Sequence, residues 1–80
     1  MKEKLVETIN TANNGNWEKA HKIVQDIEHE LAYWIHANLH REEGDVSNSK
    51  YWYKRAGREF TEMDLEEERR LIKEEIENKL

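Results

Sequence analysis

The chain repeats one turn signature at a fixed distance. Gly15-Asn16 and Gly44-Asp45 each join a Gly, which can end a helix in left-handed backbone, to a residue that can cap the next helix. The two copies are 29 residues apart. Five residues after each Gly comes a small residue, which lets two helices pack closely: Ala20 and Ser49. The spacing therefore predicts two helical hairpins in tandem.

Apolar residues at helical spacing, together with capping residues, divide the chain into five predicted helices. The predicted hairpins cover residues 2–28 and 30–57, with helices at 2–13, 17–28, from about 30 to 43, and from 46 to 56. Asp64, with Glu67 three residues later, begins a C-terminal helix that runs over residues 64–80. We therefore predict an all-α fold in which residues 1–80 form a single small domain and the last helix caps two hairpins.

Composition excludes several classes of site. The chain has no Cys, which rules out disulfides, thiolate nucleophiles and Cys-ligated zinc. No apolar run approaches the ~20 residues of a membrane span, so we expect a soluble, cytoplasmic protein without a membrane partner. The net charge is −5, and residues 61–80 carry eight acids against four Lys or Arg, which we expect to form a solvated face. An acidic chain argues against nucleic acid as a partner.

The second predicted hairpin resembles the tetratricopeptide pattern. Its turn residue is Gly44, its aromatic residues are Tyr33 and Tyr53, and its small residues are Ala37, Ser49 and Ala56. The offset of 29 residues differs from the usual repeat of 34, and Thr61 stands where the closing Pro of that pattern falls. The resemblance implies stacked helical hairpins with a concave groove lined by the first helix of each hairpin.

A longer segment, residues 34–57, is similar to one found in a family of short bacterial proteins that have no assigned activity. The matching residues are Trp34-Ile35-His36-Ala37, Leu39-His40-Arg41, Glu43-Gly44-Asp45, Asn48, Tyr51-Trp52-Tyr53 and Arg55-Ala56-Gly57. The family has Ala where this chain has Ser49, and Trp17, Ala20 and His21 also match it. The resemblance implies that the second hairpin is a functional unit, and it supplies no reaction.

Three His residues could form a metal site. His36 and His40 are four residues apart, so their rings lie on one face of a helix, and His21 on the preceding helix is the natural third ligand. With Glu43 as general base, such a zinc site would suit a small hydrolytic enzyme. Two other interpretations remain open: a buried polar network that is satisfied without metal, and a His pair that contacts a ligand.

A second group of residues could bind a partner. Trp34, Asn38 and Arg41 share the helix face that would line the groove, where an amide and a guanidinium could hold a peptide backbone or a carboxylate. The structural alternative is that Trp34 lies in the core and Arg41 pairs with Glu42 or Asp45 on the surface.

Aromatic residues crowd the fourth predicted helix. Tyr51, Trp52, Tyr53 and Arg55 occupy one and a half turns, so at least one ring should be exposed, where it could stack on a sugar, a base or a partner side chain. The alternative is that the rings are buried at an edge with their hydroxyls in water.

Two functions therefore stay open. The first is a binding module, as a monomer or a homodimer, that uses the groove and the aromatic edge of the second hairpin for a protein or small-molecule ligand. The second is a small metal-dependent enzyme built on His21, His36, His40 and Glu43.

Overall fold

A computed structural model describes residues 1–80 and shows five α-helices and no strand. The helices are α1 (Lys2–Asn13), α2 (Trp17–Val24), α3 (Glu30–Glu42), α4 (Val46–Arg55) and α5 (Leu65–Lys79). α1 packs on α2 and α3 packs on α4, which gives two hairpins, and α5 lies against the first helix of each hairpin. The predicted all-α fold with about five helices is confirmed. None of these helices has both the length and the apolar character that crossing a bilayer requires.

The hairpin turns form where the repeated signature predicted them. Gly15 and Gly44 adopt φ angles of 84° and 86°, a left-handed conformation in which a Cβ is strained. The next residue then caps the following helix with its side chain: Asn16 accepts from the Lys19 N–H at 3.2 Å, and Asp45 accepts from the Asn48 N–H at 3.3 Å. In each hairpin the signature therefore ends one helix and begins the next across a linker of three residues.

The end of α2 differs from the prediction. The helix stops at Val24 and not at residue 28. The Ile27 N–H then donates to the Val24 carbonyl at 3.1 Å, so a turn brings Ile27 onto the core without a helix. α3 begins after His29, whose backbone is extended and whose Nδ1 accepts from the Leu31 N–H at 3.1 Å. His29 is thus the N-cap that separates the two hairpins.

The core lies where the two hairpins meet α5. Its most deeply buried large apolar side chains are Leu5, Ile9, Val24, Leu31, Ile35, Leu39, Ile72 and Ile76. The small residues allow close packing, since Ala20, Ala37 and Ser49 are fully buried. Ser49 Oγ also donates to the Ala37 carbonyl at 2.8 Å, which ties α4 to α3. This packing presents one side of α3 to α2 and the opposite side to α5.

Candidate functional site

Three His side chains converge between the hairpins. His21 comes from α2, and His36 and His40 come from α3. The Nε2 atoms of His21 and His36 are 3.1 Å apart, and one ring nitrogen of each His lies within 4.8 Å of the others. The rings of His36 and His40 stack with their centroids 4.9 Å apart, as expected for residues one helical turn apart. The structure therefore brings together the three His residues that the sequence singled out.

Two tryptophans stack on two of these rings. Trp17 stacks on His21 with centroids 4.8 Å apart, and Trp52 stacks on His36 with centroids 3.9 Å apart. The Trp17 indole N–H donates to the Leu39 carbonyl at 2.6 Å, which fixes its plane. Because each stacked ring has a defined partner, the His nitrogens have defined directions.

Glu43 lies behind the cluster. Its Oε1 is 2.6 Å from His40 Nδ1, and because a carboxylate can only accept a hydrogen bond, Nδ1 is the donor and Nε2 is the nitrogen left for a metal ion. A carboxylate in this position orients a ligating imidazole and makes it more basic. The structure thus places Glu43 as a partner of His40, in contrast to the general base of the sequence hypothesis.

Burial keeps two of the rings uncharged. Desolvation lowers the pKa of His36 to about 3, and Coulomb interactions with His21, His40 and Arg55 lower that pKa further. Desolvation also lowers the pKa of His21, reinforced by His40 and partly opposed by Glu43. Both rings are therefore neutral at neutral pH, and neutral imidazole is the form that binds a metal ion.

The expected groove residues lie beneath α5. Trp34, Asn38 and Arg41 are buried or nearly so, and their polar atoms are bonded to Glu68 of α5. The donors to the Glu68 carboxylate are Trp34 Nε1 at 2.9 Å, Asn38 Nδ2 at 2.7 Å, Arg41 Nη2 at 2.9 Å and the Tyr53 hydroxyl at 2.6 Å. α5 therefore covers this face of α3, and these three side chains are not open to a partner.

Glu68 and Arg69 are the buried charges that the sequence analysis missed. Burial raises the pKa of the Glu68 carboxyl, but the hydrogen bonds from its four donors outweigh burial and hold that pKa below its usual range. Arg69 donates from Nε to Asn38 Oδ1 at 2.8 Å and pairs with Glu42. A signal did exist, because the two residues interrupt the apolar stripe of α5 at the third and fourth positions after Leu65.

The aromatic edge of α4 remains at the surface. Tyr51 is 54% exposed and Trp52 is half-buried, whereas Tyr53 is buried in the Glu68 network. The Arg55 guanidinium lies among three rings, with its Cζ atom 4.5 Å from the Tyr33 centroid, 5.0 Å from that of Trp52 and 5.8 Å from that of Tyr51. Of the six proposed binding residues, only Tyr51, Trp52 and Arg55 face outward.

The chemistry of these side chains is the basis for assigning a function, because in comparisons with known proteins no family model, no curated protein and no solved structure matches this chain.

Proposed function

We propose that His21, His36 and His40 bind a divalent transition metal ion, with zinc as the best fit. The convergence of three ring nitrogens from two helices carries this proposal. Tetrahedral zinc with Zn–N bonds of about 2.05 Å separates neighbouring nitrogens by about 3.3 Å. The nitrogens of His21 and His36 are already 3.1 Å apart. Every pair of these three nitrogens lies within 4.8 Å. Ring movements of about 1.5 Å or less would therefore bring all three to the spacing that zinc requires.

The surroundings of the rings support the same proposal. The contact of Glu43 with His40 leaves Nε2 of that ring free to bind, as in carboxylate–histidine–zinc arrangements. The stacking of Trp17 and Trp52 on His21 and His36 limits the rotation of both rings. A site whose ligands are held in advance loses less conformational entropy when the ion binds.

We assign the site to metal binding and not to hydrolysis. Glu43 is engaged by His40, so it is not free to take a proton from water. None of the four surface cavities is lined by His21, His36 or His40. The competing explanation is a structural one, in which the contact between the His21 and His36 rings is simply a hydrogen bond.

Zinc titration separates the two explanations. Protein made without a His tag and freed of metal is titrated with Zn²⁺ by calorimetry, and its melting temperature is measured with and without the ion. We expect one ion per chain, and at 100 times the Kd a gain of about 2.7 kcal/mol, which corresponds to a rise of roughly 10 °C or more. A chelator should reverse that rise. An unchanged melting temperature and no heat of binding would leave the cluster as a structural network.

Two His substitutions give a matched comparison, and a third substitution tests the role of Glu43. His21→Gln removes a half-buried ligand and should abolish stoichiometric binding. His29→Asn removes the one His outside the cluster, and it should bind zinc like the parent because Asn is a good N-cap. Glu43→Gln should weaken binding by about 10–100-fold, because His40 loses its carboxylate. Equal zinc affinities for His21→Gln and His29→Asn would contradict the assignment.

A further inference from the structure

One arginine differs from all the others in its partners. The chain has 18 acids and five Arg, and four of the Arg form ion pairs. These pairs are Arg41 with Glu68, Arg58 with Glu75, Arg69 with Glu42, and Arg70 with Glu67 and Glu74. Arg55 meets no carboxylate, although acids outnumber basic residues in this chain. Its charge is therefore available to an anion from outside the chain.

Aromatic rings order this arginine without using its donors. Tyr33, Tyr51 and Trp52 lie within 6 Å of the guanidinium carbon, a distance at which ring faces attract a cation. The only hydrogen bond of Arg55 runs from Nη2 to the Tyr33 hydroxyl at 3.4 Å. Most of its five N–H groups are thus free, while its side chain is held in place.

The positive charge of α4 also favours an anion as the ligand. Residues 46–55 include Lys50, Lys54 and Arg55 and no acid. A basic residue in the last turn of a helix also interacts favourably with the helix dipole. The helix dipole explains why a basic residue lies at the end of α4. It does not explain why three aromatic rings surround Arg55. The rings and the unpaired charge together indicate a binding site.

The edge also offers a surface for a flat group. The rings of Tyr51 and Trp52 are nearly perpendicular, at 86°, with centroids 5.1 Å apart, and so form a corner. One face of Trp52 is covered by His36, whereas Tyr51 is exposed. A planar ring can stack on Tyr51 and meet the edge of Trp52, which is a favourable arrangement for aromatic groups.

We propose that Arg55, Tyr33, Tyr51 and Trp52 form a binding site for small planar ligands that carry an oxyanion, either a carboxylate or a phosphate. The planar guanidinium binds two oxygens of such a group with parallel N–H···O bonds, and the flat part of the ligand stacks on Tyr51. The site is on the outer side of α4 and adjoins the proposed metal site, because Trp52 also stacks on His36.

The indole N–H signals of the three tryptophans report on this site by NMR. Metal-free protein in a buffer without phosphate is titrated with phenyl phosphate, with benzoate and with the neutral analogue benzyl alcohol. The Trp52 signal should move saturably with one or both anions and not with benzyl alcohol. The Trp34 signal should stay in place, because its N–H is bonded to Glu68 inside the molecule. The two anions decide between phosphate and carboxylate as the group that is bound.

Neighbouring residues supply the controls. Arg55→Gln should weaken anion binding by about tenfold or more, since it removes the charged hydrogen bonds. Lys54→Gln makes the same change in net charge one residue away and should have a much smaller effect. Tyr51→Ala should lower the affinity for phenyl phosphate to that for inorganic phosphate, because the stacking surface is lost.

Three results would overturn the proposal. Equal losses in Arg55→Gln and Lys54→Gln would show that only general charge attracts the anion. Equal binding of benzyl alcohol would show an apolar surface without anion recognition. Saturable binding of a hexaglutamate peptide, with no response to either small anion, would show a peptide site in its place. Each result is independent of zinc binding, because the titrations use metal-free protein.

Discussion

Glu68 puts a negative charge in the interior of the molecule, between α5 and the second hairpin. Its side chain is 2% exposed and accepts hydrogen bonds from four donors, one of which belongs to the Arg41 guanidinium. A buried charge is stable only when it is paired and fully hydrogen-bonded, and here every buried side-chain polar atom has a partner. The network therefore fixes how α5 sits on α3, and Tyr53 links α4 to it, since any other arrangement would leave these donors without an acceptor.

Glu68→Gln should destabilise the fold by about 3–5 kcal/mol, because the buried Arg41 loses its counter-charge and the amide offers fewer acceptor sites. The free energy of unfolding in urea measures this loss. Glu67→Gln makes the same change at the adjacent exposed position and should alter stability by about 0.5 kcal/mol or less. Similar values for the two variants would show that the network contributes little.

The sequence predicted the His cluster and missed Glu68. The difference lies in how far apart the contacting residues are in the chain. The facing of His36 and His40 follows from helix geometry alone, and His21 was expected from its place on the neighbouring helix. Glu68 meets side chains 15 to 34 residues away, and no local pattern shows which acid of a charged helix turns inward. The same separation explains why the sequence makes Trp34 a candidate for the groove, although α5 covers it.

At the level of helices, the predictions that rest on turn and cap chemistry agree with the structure. Asp64 caps α5 by accepting from the Glu67 N–H at 3.1 Å, as its position predicted. The predicted end of α2 was wrong. Residues 25–28 contain neither the Gly nor the Pro that would signal the end of a helix, and Ile27 continues the apolar spacing. The extended backbone of His29 ends that continuity, and His is an uncommon cap that the sequence does not mark.

Gly44→Ala should destabilise the second hairpin by about 1–2 kcal/mol, because its φ of 86° lies in the left-handed region that a Cβ disfavours. Apart from Gly44 and its two chain neighbours, no residue has an atom within 4 Å of the added Cβ, so the loss comes from backbone strain. Gly44→Asn should lose less, since Asn tolerates this conformation better. Thermal unfolding of both variants tests this, and equal losses would contradict the backbone explanation.

At the scale of the whole molecule, acid should unfold the protein through its neutral histidines. The groups around His36 are His21, His40 and Arg55, with Glu43 beyond His40. The pKa of His36 is about 3 in the fold and 6.5 without it, so below pH 6.5 the unfolded chain takes up a proton that the fold rejects. Stability is therefore greatest above pH 6.5 and should fall by about 1.4 kcal/mol for each pH unit below it. The lowered pKa of His21 acts in the same direction.

Urea unfolding at pH 7.5, 6.0 and 5.0 measures this dependence. His36→Gln should flatten the loss between pH 6.5 and 5, and His29→Asn should keep it. The lowered pKa of Glu68 adds to acid sensitivity at lower pH, below 4.5, where the carboxylate of the unfolded chain is already protonated. An unchanged slope in His36→Gln would show that other groups control acid unfolding.

From the position of α5 in the chain, we expect this helix to dock late during folding. Each hairpin joins neighbouring segments and can begin to form early, whereas α5 follows both in the chain and contacts the first helix of each. Until α5 docks, Trp34, Asn38, Arg41 and Tyr53 lack the carboxylate that unites them. α5, which follows both hairpins in the chain, is therefore the helix that joins them into a single cooperative unit.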